Sequence, residues 1–148
     1  MIYYRNDVRR SGVNGRALVA TAQRLLDALD AAAAALSLSL VGDKAIRRLN
    51  RTYRGKDCTT DVLSFPIDGE AASGSRERLL GDVVISVDTA RRQAAQYDAS
   101  LQHEVYRLLI HGLLHLKGHD HVIVAQRHVM QREERRLAAA IAMPWPYR

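Results

Sequence analysis

The spacing of hydrophobic residues predicts a strand, a helix and a second strand in the first part of the chain. Residues 2–4 are β-branched or aromatic and predict a short strand. From Arg16 onward, apolar residues recur at helical spacing, which predicts a helix that continues into the alanine tract after it. Leucines then alternate with serines over residues 36–40, which is typical of a half-buried strand, and Gly42 with Asp43 ends it.

A basic amphipathic helix is predicted over residues 44–53, with Asp43 as its N-cap. Its spacing turns Ile46, Leu49 and Tyr53 inward. The basic side chains on the remaining surface are Lys44, Arg47, Arg48, Arg51 and Arg54.

Two further strands are predicted in the middle of the chain. Residues 60–65 form the first, and Pro66 places its end at a sheet edge or outside the sheet. Residues 68–78 are polar, contain Gly and Ser, and predict a loop. Residues 83–87 are an apolar run of the kind found in strands that are buried on both faces.

The second half of the chain predicts three helices. Asp88 is expected to cap the first, which runs to about Tyr97, and the second begins near Ser100. Apolar residues surround the later turns of this second helix, so we expect those turns to be buried nearly all round, with Gly118 just past the helix end. A final charged helix is predicted over residues 123–142.

These elements predict one α+β domain spanning residues 1–148, in which a small mixed β-sheet is covered by about five helices. The chain has 148 residues, of which 47% are hydrophobic and 26% charged, enough for one core without disulfides. Cys58 is the single cysteine, which excludes an intramolecular disulfide and favours a reducing compartment. No signal peptide or membrane span is visible, so a cytoplasmic location is expected.

The net charge of +6 is common among proteins that contact phosphate backbones, although proteins without such a partner share it. A membrane surface is a weaker candidate, because no basic amphipathic helix with exposed aromatic residues is evident. If the partner is a nucleic acid, sequence-independent contacts to its phosphate backbone are expected. The residues expected to make them are Lys44, Arg47, Arg48, Arg51 and Lys56.

Histidine carries the candidate chemistry, because all six histidines fall in one segment of the C-terminal half. His111 and His115 are one helical turn apart, so both imidazoles can reach one metal ion. Gly118 can adopt a positive φ and return the chain, which brings His121 to the same ion. Three neutral imidazoles suit zinc and leave a fourth position open for water. The sequence thus predicts a zinc site on a buried helix and the turn after it.

The neighbouring residues leave the proton chemistry open. The spacing equals that of the metzincin motif H-E-x-x-H-x-x-G-x-x-H, but Gly112 replaces the glutamate that serves as the peptidase base. Glu104 lies two turns from the histidines, which is too far for direct contact with the metal. Asp120 either orients an imidazole or accepts a proton, or else caps the last helix. His119 is an alternative ligand with a poorer match in spacing.

Residues 111–121 read HGLLHLKGHDH, which resembles the H-G-x-L-H-L-x-G-x-D-H signature of the YbeY-type rRNA maturation endoribonucleases. The resemblance extends through residues 49–66 and 79–86, and to Met130 and Glu134. It implies a single-strand-specific, metal-dependent endoribonuclease of bacterial type. Such an enzyme acts in rRNA processing, including 16S rRNA 3′-end maturation, and in ribosome quality control.

The resemblance also implies roles for individual residues. The positions that match the family's metal ligands are His111, His115 and His121. Arg54 matches the family's functionally important arginine, and its planar donors suit the scissile phosphate. The chain departs from the pattern where His119 replaces a tyrosine, and where Cys58 and Thr59 stand in place of a polar residue and a proline.

Three function classes follow from these observations. The first is a zinc-dependent RNA hydrolase that uses the three histidines, Arg54 and Asp120 and acts on rRNA or ribosomal particles rather than DNA. The second is an RNA- or ribosome-binding assembly factor in which zinc only braces the fold. The third is a hydrolase of peptides or nucleotides, which the missing glutamate and the basic surface disfavour. The attacking group of the RNA hydrolase is either water or the RNA 2′-hydroxyl.

Overall fold

A computed structural model describes residues 1–67 and 78–147. The strands in this part of the chain are β1 (Ile2–Asn6), β2 (Ala35–Val41), β3 (Val62–Pro66) and β4 (Leu79–Ser86). The helices there are α1 (Gly15–Ala28), α2 (Asp43–Arg54), α3 (Val87–Gln96), α4 (Leu101–Leu116) and α5 (Val124–Ala140). The predicted polar loop lies outside the described residues except for Arg78.

The four strands form one mixed sheet in the order β1-β2-β4-β3. β2 pairs in parallel with both β1 and β4, whereas β3 pairs with β4 in antiparallel orientation. Parallel neighbours need a crossover connection, and α1 supplies it between β1 and β2. This arrangement confirms the predicted α+β domain with a mixed sheet and five helices. Within the described residues, no helix has the length and apolar character needed to cross a membrane.

The two faces of the sheet have separate cores. On one face, the leucines of β2 and Val83 and Ile85 of β4 join α1, α4 and α5 in one cluster, where Leu38, Ile85 and Leu109 are fully buried. On the other face, α2 covers the sheet with Ile46 and Leu49. Since α4 lies in the larger core, its later turns are buried nearly all round, as predicted.

The alanine tract does not continue α1. The helix ends at Ala28, and Asp30 adopts a left-handed conformation with φ of 56°. The backbone N–H of Ala31 then bonds to the carbonyl of Leu26, which closes the helix. Because β2 begins at Ala35, the predicted extension of α1 is wrong.

The predicted capping roles of two aspartates are also wrong. Gly42, not Asp43, is the N-cap of α2, and Ser86, not Asp88, caps α3 by accepting from the backbone N–H of Thr89. Asp43 instead accepts hydrogen bonds from the hydroxyls of Ser86 and Thr89. The carboxylate of Asp88 accepts from the backbone N–H of Asp43 at 2.9 Å. The two carboxylates therefore join the starts of α2 and α3.

Several boundaries differ from the sequence prediction. β1 extends to Asn6, β3 begins at Val62, and β4 begins at Leu79, well before the apolar run. Tyr53 is 65% exposed rather than inward, and its ring packs against Phe65 with the ring centres 5.4 Å apart. An exposed aromatic residue therefore lies beside the C-terminal end of α2.

Candidate metal centre and its cleft

A cleft of about 730 Å³ lies between the C-terminal ends of α2 and α4 and the strand β3. Its lining includes the three predicted ligands, His111, His115 and His121, together with Arg54, Lys56 and Asp120. Residues from distant parts of the sequence therefore share one concave surface.

The three histidines meet the requirements of a metal site. Each offers one ring nitrogen, and these nitrogens lie within 4.8 Å of one another. The Nε2 atoms of His111 and His115 are 3.1 Å apart. Two nitrogens bound tetrahedrally to zinc at about 2.05 Å would be about 3.3 Å apart, so this spacing fits the ion. Within the described residues this is the one group that could hold a metal ion, and His119 does not belong to it.

The turn after α4 brings His121 back to the helical pair. Gly118 has φ of 93°, a conformation that disfavours side chains with a Cβ. The backbone N–H groups of Gly118 and His119 bond to the carbonyls of His115 and Leu114, which closes the helix end. The predicted role of Gly118 is therefore confirmed.

Burial, followed by repulsion from the neighbouring His111 and His121, lowers the pKa of His115. This shift favours the neutral imidazole, in which one ring nitrogen carries a lone pair. A neutral imidazole is the form that binds metal. The ligand type and its protonation state thus agree.

Gly112 lets α4 lie directly on the sheet. A Cβ at this position would lie 2.9 Å from Cγ1 of Val83 and 3.1 Å from Oγ of Ser64. The first of these contacts is shorter than real Cβ contacts and the second is unusually tight, so a side chain would force the packed strands to shift. Position 112 therefore faces the strands, which explains in packing terms why the glutamate of the metzincin motif is absent here.

Arg54 is tied to the histidine helix through β3. Its guanidinium donates to the carbonyl of Ser64, and the Ser64 hydroxyl donates to the carbonyl of Gly112 at 3.0 Å. The guanidinium also lies 5.3 Å from the centre of the Phe65 ring. An exposed arginine that lines the cleft is thus held beside the residue that follows His111.

Asp120 contacts His121 rather than α5. Its carboxylate accepts from the backbone N–H of His121 at 2.7 Å and lies 3.6 Å from that residue's Nδ1. The N-cap of α5 is Ile123, which makes no side-chain cap. The capping interpretation of Asp120 is therefore wrong, and the aspartate lies where it can orient an imidazole.

The predicted backbone-binding residues are all exposed, but they are not equivalent. They are Lys44, Arg47, Arg48, Arg51 and Lys56. Lys56 lines the cleft, whereas Arg47 forms a salt bridge with Asp57 at 2.9 Å and is partly neutralised. Lys44, Arg48 and Arg51 are exposed on α2 and are not part of the cleft lining.

Sequence reasoning assigned no role to Glu134. Its Oε2 atom lies 3.7 Å from Nδ1 of His111, and its side chain is only 12% exposed. The available signal was a carboxylate spaced one turn after the buried Met130, on the inward side of α5. Cys58 also lines the cleft, but it is exposed and lies outside the ligand group.

Comparisons with known proteins give consistent results. The family model described as Endoribonuclease YbeY matches residues 4–142. A protein of that name from Myxococcus xanthus is 56% identical over 72% of this chain, and one from Anaeromyxobacter is 51% identical over 84%. The chain spans only 36% and 64% of the lengths of these two relatives.

A further relative matches over nearly its whole length. The Endoribonuclease YbeY of Moorella thermoacetica is 42% identical over 87% of this chain and 90% of its own. Among solved structures, a Thermotoga maritima protein studied in solution aligns with a TM-score of 0.59 over 96% of this chain and 92% of its own. At 21% sequence identity, this last similarity concerns the fold alone.

Proposed function

Because the chain belongs to the YbeY endoribonuclease family, we propose that it is a zinc-dependent endoribonuclease that cleaves single-stranded RNA. It would act on rRNA in the cytoplasm. The processes concerned are 16S rRNA 3′-end maturation and ribosome quality control. Residues 1–148 act as one catalytic domain, on RNA rather than DNA. The observation that carries the proposal is the convergence of three histidine nitrogens and an anchored arginine on one cleft.

His111, His115 and His121 would hold the zinc ion. A zinc ion bound there supplies Lewis acidity, which polarises a phosphoryl oxygen or makes water more acidic. Arg54 binds the scissile phosphate, because its anchored guanidinium presents planar donors to two phosphate oxygens. As negative charge builds on the phosphate, these donors stabilise it without reorganising.

The surface beside the cleft supports binding of single-stranded RNA. The exposed ring of Tyr53 offers a face on which a base can stack, which requires a base that is free of a duplex. Lys56 continues positive charge from Arg54 along the cleft wall. The basic surface of α2 provides further contacts with backbone phosphates.

Proton transfer has two candidate routes. In the first, water attacks the phosphate, and Asp120, which lies in the cleft beside His121, accepts the proton of that water. In the second, the RNA 2′-hydroxyl attacks, and the product carries a 2′,3′-cyclic phosphate. Analysis of the RNA ends after cleavage distinguishes the routes.

One observation favours a second candidate function. In the described part of the chain, the carboxylates of Asp120 and Glu134 lie 3.6 and 3.7 Å from ring nitrogens of His121 and His111. A site without a free base suits a zinc ion that braces the fold of an RNA- or ribosome-binding assembly factor. A peptide or nucleotide hydrolase has no comparable support.

The deciding experiment compares the wild type with a His111→Ala variant. For the enzyme, we expect RNA cleavage to stop while RNA binding persists, because the ligands and the basic helix are separate residues. For the assembly factor, the same substitution should lower stability and binding together, with no cleavage in the wild type. The measurements are thermal melts, RNA binding at fixed salt, and cleavage of one structured and one single-stranded RNA.

The His111 site lies in a largely buried helix, so some loss of stability is expected either way. Binding must therefore be measured on the fraction of the variant that remains folded. Undiminished cleavage by a folded, metal-free His111→Ala protein would refute the zinc-hydrolase proposal. A contaminating nuclease would be the first alternative to exclude in that case.

A further inference from the structure

Glu134 places a carboxylate on the inward face of α5. It follows Met130 by one helical turn and precedes Leu137 by another, and both of these residues are essentially inaccessible to solvent. A carboxylate in such a position loses hydration, which costs free energy unless another group compensates. The position therefore requires a partner.

Within residues 1–67 and 78–147, the one ion-pair partner of Glu134 is His111, whose Nδ1 lies 3.7 Å from Oε2. The preceding residue shows the contrast. Glu133 is 30% exposed and pairs with Arg136 on its own helix at 2.7 Å. Glu133 therefore pairs within α5 at the surface, whereas Glu134 faces His111 on α4.

The two ring nitrogens of His111 face different partners. Nε2 points to Nε2 of His115 at 3.1 Å, in the ligand group, while Nδ1 points to the Glu134 carboxylate. A carboxylate beside Nδ1 favours the tautomer that carries its proton there, which leaves the Nε2 lone pair free for a metal. Without this neighbour, the proton can occupy either nitrogen.

We propose that Glu134 is a positioning residue of the metal centre, which holds His111 with Nδ1 protonated and Nε2 directed at the ion. The inference rests on the metal site of the proposed function but not on RNA cleavage. Its first measurement is zinc affinity of the metal-free protein, determined by competition with a chromophoric chelator.

The informative variants are Glu134→Leu and Glu134→Gln. Leucine keeps the apolar packing on α5 but removes the acceptor, so we expect zinc affinity to fall by roughly 10- to 100-fold. Glutamine keeps an acceptor oxygen without the charge and should restore part of that loss. Glu133→Gln is the matched control, because its carboxylate faces Arg136, and it should leave the affinity unchanged.

A second measurement separates positioning from general support of the fold. Nitrogen NMR of the zinc-free protein at one fixed pH reports which ring nitrogen of His111 carries the proton. We expect Nδ1 to be protonated in the wild type and a mixture of tautomers in Glu134→Leu. A merely structural role would change the melting temperature without changing this ratio.

Equal zinc affinity in the wild type and a folded Glu134→Leu protein would overturn this inference but leave the proposed function intact. Predominant protonation of Nε2 in the zinc-free wild type would also overturn it. Zinc binding with the expected losses but without RNA cleavage would leave the inference standing and refute the proposed enzyme instead.

Discussion

Arg54 and Arg48 lie on the same helix in different surroundings. The Arg54 guanidinium is anchored to Ser64 beside the ligands, whereas Arg48 is exposed and forms no ion pair within the described residues. We expect Arg54→Glu to abolish RNA cleavage without unfolding the protein, because a carboxylate repels the phosphate. Arg48→Glu should mainly weaken binding and reduce its salt dependence by about one unit of slope. Cleavage assays and salt titrations measure both effects.

The same mild effect from both substitutions would contradict this assignment. Arg54 would then be ordinary surface charge, like the other basic residues of α2. Circular dichroism of each variant provides the control for folding.

Tyr53 is expected to contribute to single-strand binding. Replacing it by Ala should weaken binding of a single-stranded RNA by about 1–3 kcal/mol, the usual contribution of one stacked base. Tyr53→Phe keeps the aromatic face and should bind nearly as the wild type does. Binding of duplex RNA is the control and should change little in either variant. An equal loss for both RNAs would assign Tyr53 to the fold through its contact with Phe65.

The metal content should follow the histidines and not the cysteine. We expect one zinc per chain in the purified protein, lost in His115→Ala and retained in Cys58→Ser, because Cys58 lies outside the ligand group. Elemental analysis measures this directly. Full zinc occupancy in His115→Ala would remove the basis for the site.

At the residue scale, the sequence predicted contacts that depend on local chain geometry. His111 and His115 are one turn apart on any helix, and Gly118 can turn the chain back in any fold. The contacts of Glu134 and Ser64 depend instead on how α5 and β3 are placed against α4. That placement results from packing between distant elements, which local periodicity does not encode.

At the element scale, the misassigned caps show a related limit. Asp43 and Asp88 both precede helices in ways that are typical of N-caps, yet each carboxylate bonds to a group outside its own helix. An aspartate before a helix is expected to accept hydrogen bonds from nearby donors. Which donors these are depends on the junction between α2, β4 and α3, which forms only in the folded chain.

This junction gives a prediction about stability. Burial raises the pKa of Asp43, but hydrogen bonds from Thr89, Ser86 and Arg92 outweigh it, so the net pKa is lowered. We expect Asp43→Asn to reduce the free energy of unfolding at neutral pH by about 1–3 kcal/mol, because charged acceptors make the stronger hydrogen bonds. Denaturant titrations measure this difference.

The sign of the pH dependence follows from the lowered pKa. The carboxylate stabilises the fold above the pKa of an unfolded aspartate, about 4, and loses this contribution as the pH falls through the lower folded value. The difference between wild type and Asp43→Asn should therefore be full at neutral pH and shrink in acid. A constant difference down to the most acidic pH at which the wild type remains folded would contradict the assignment.

At the scale of the whole molecule, the C-terminal segment packs back onto the start of α4. Glu104 is fully buried and pairs with Arg107, and the Tyr147 hydroxyl donates to its carboxylate at 2.6 Å. Burial, together with this hydrogen bond, raises the pKa of Tyr147. The sequence places Glu104 too far from the histidines for direct contact with a metal, which agrees with its structural role.

We expect Tyr147→Phe to lower the free energy of unfolding by about 1–3 kcal/mol, because the buried Oε2 of Glu104 loses one of its two donors and keeps only Arg107 Nε. Zinc content should be unchanged, since the Tyr147 hydroxyl and ring bond to Glu104 and pack against Tyr97 and Trp145. Chemical denaturation and elemental analysis on the same sample test both statements. Loss of zinc in the folded variant would show that the segment also supports the metal centre.

Both α2 and α4 end at the cleft, with Arg54 and His115 in their last turns. Aligned peptide dipoles leave about half a negative charge at the C-terminal end of each helix. Two such ends attract a cation and oppose a phosphate group, and Arg54 and Lys56 are basic side chains of the cleft that offset this field. A divalent metal ion held by the three histidines would also oppose this negative field, so the proposed function predicts an order of loading: the metal first, then the RNA.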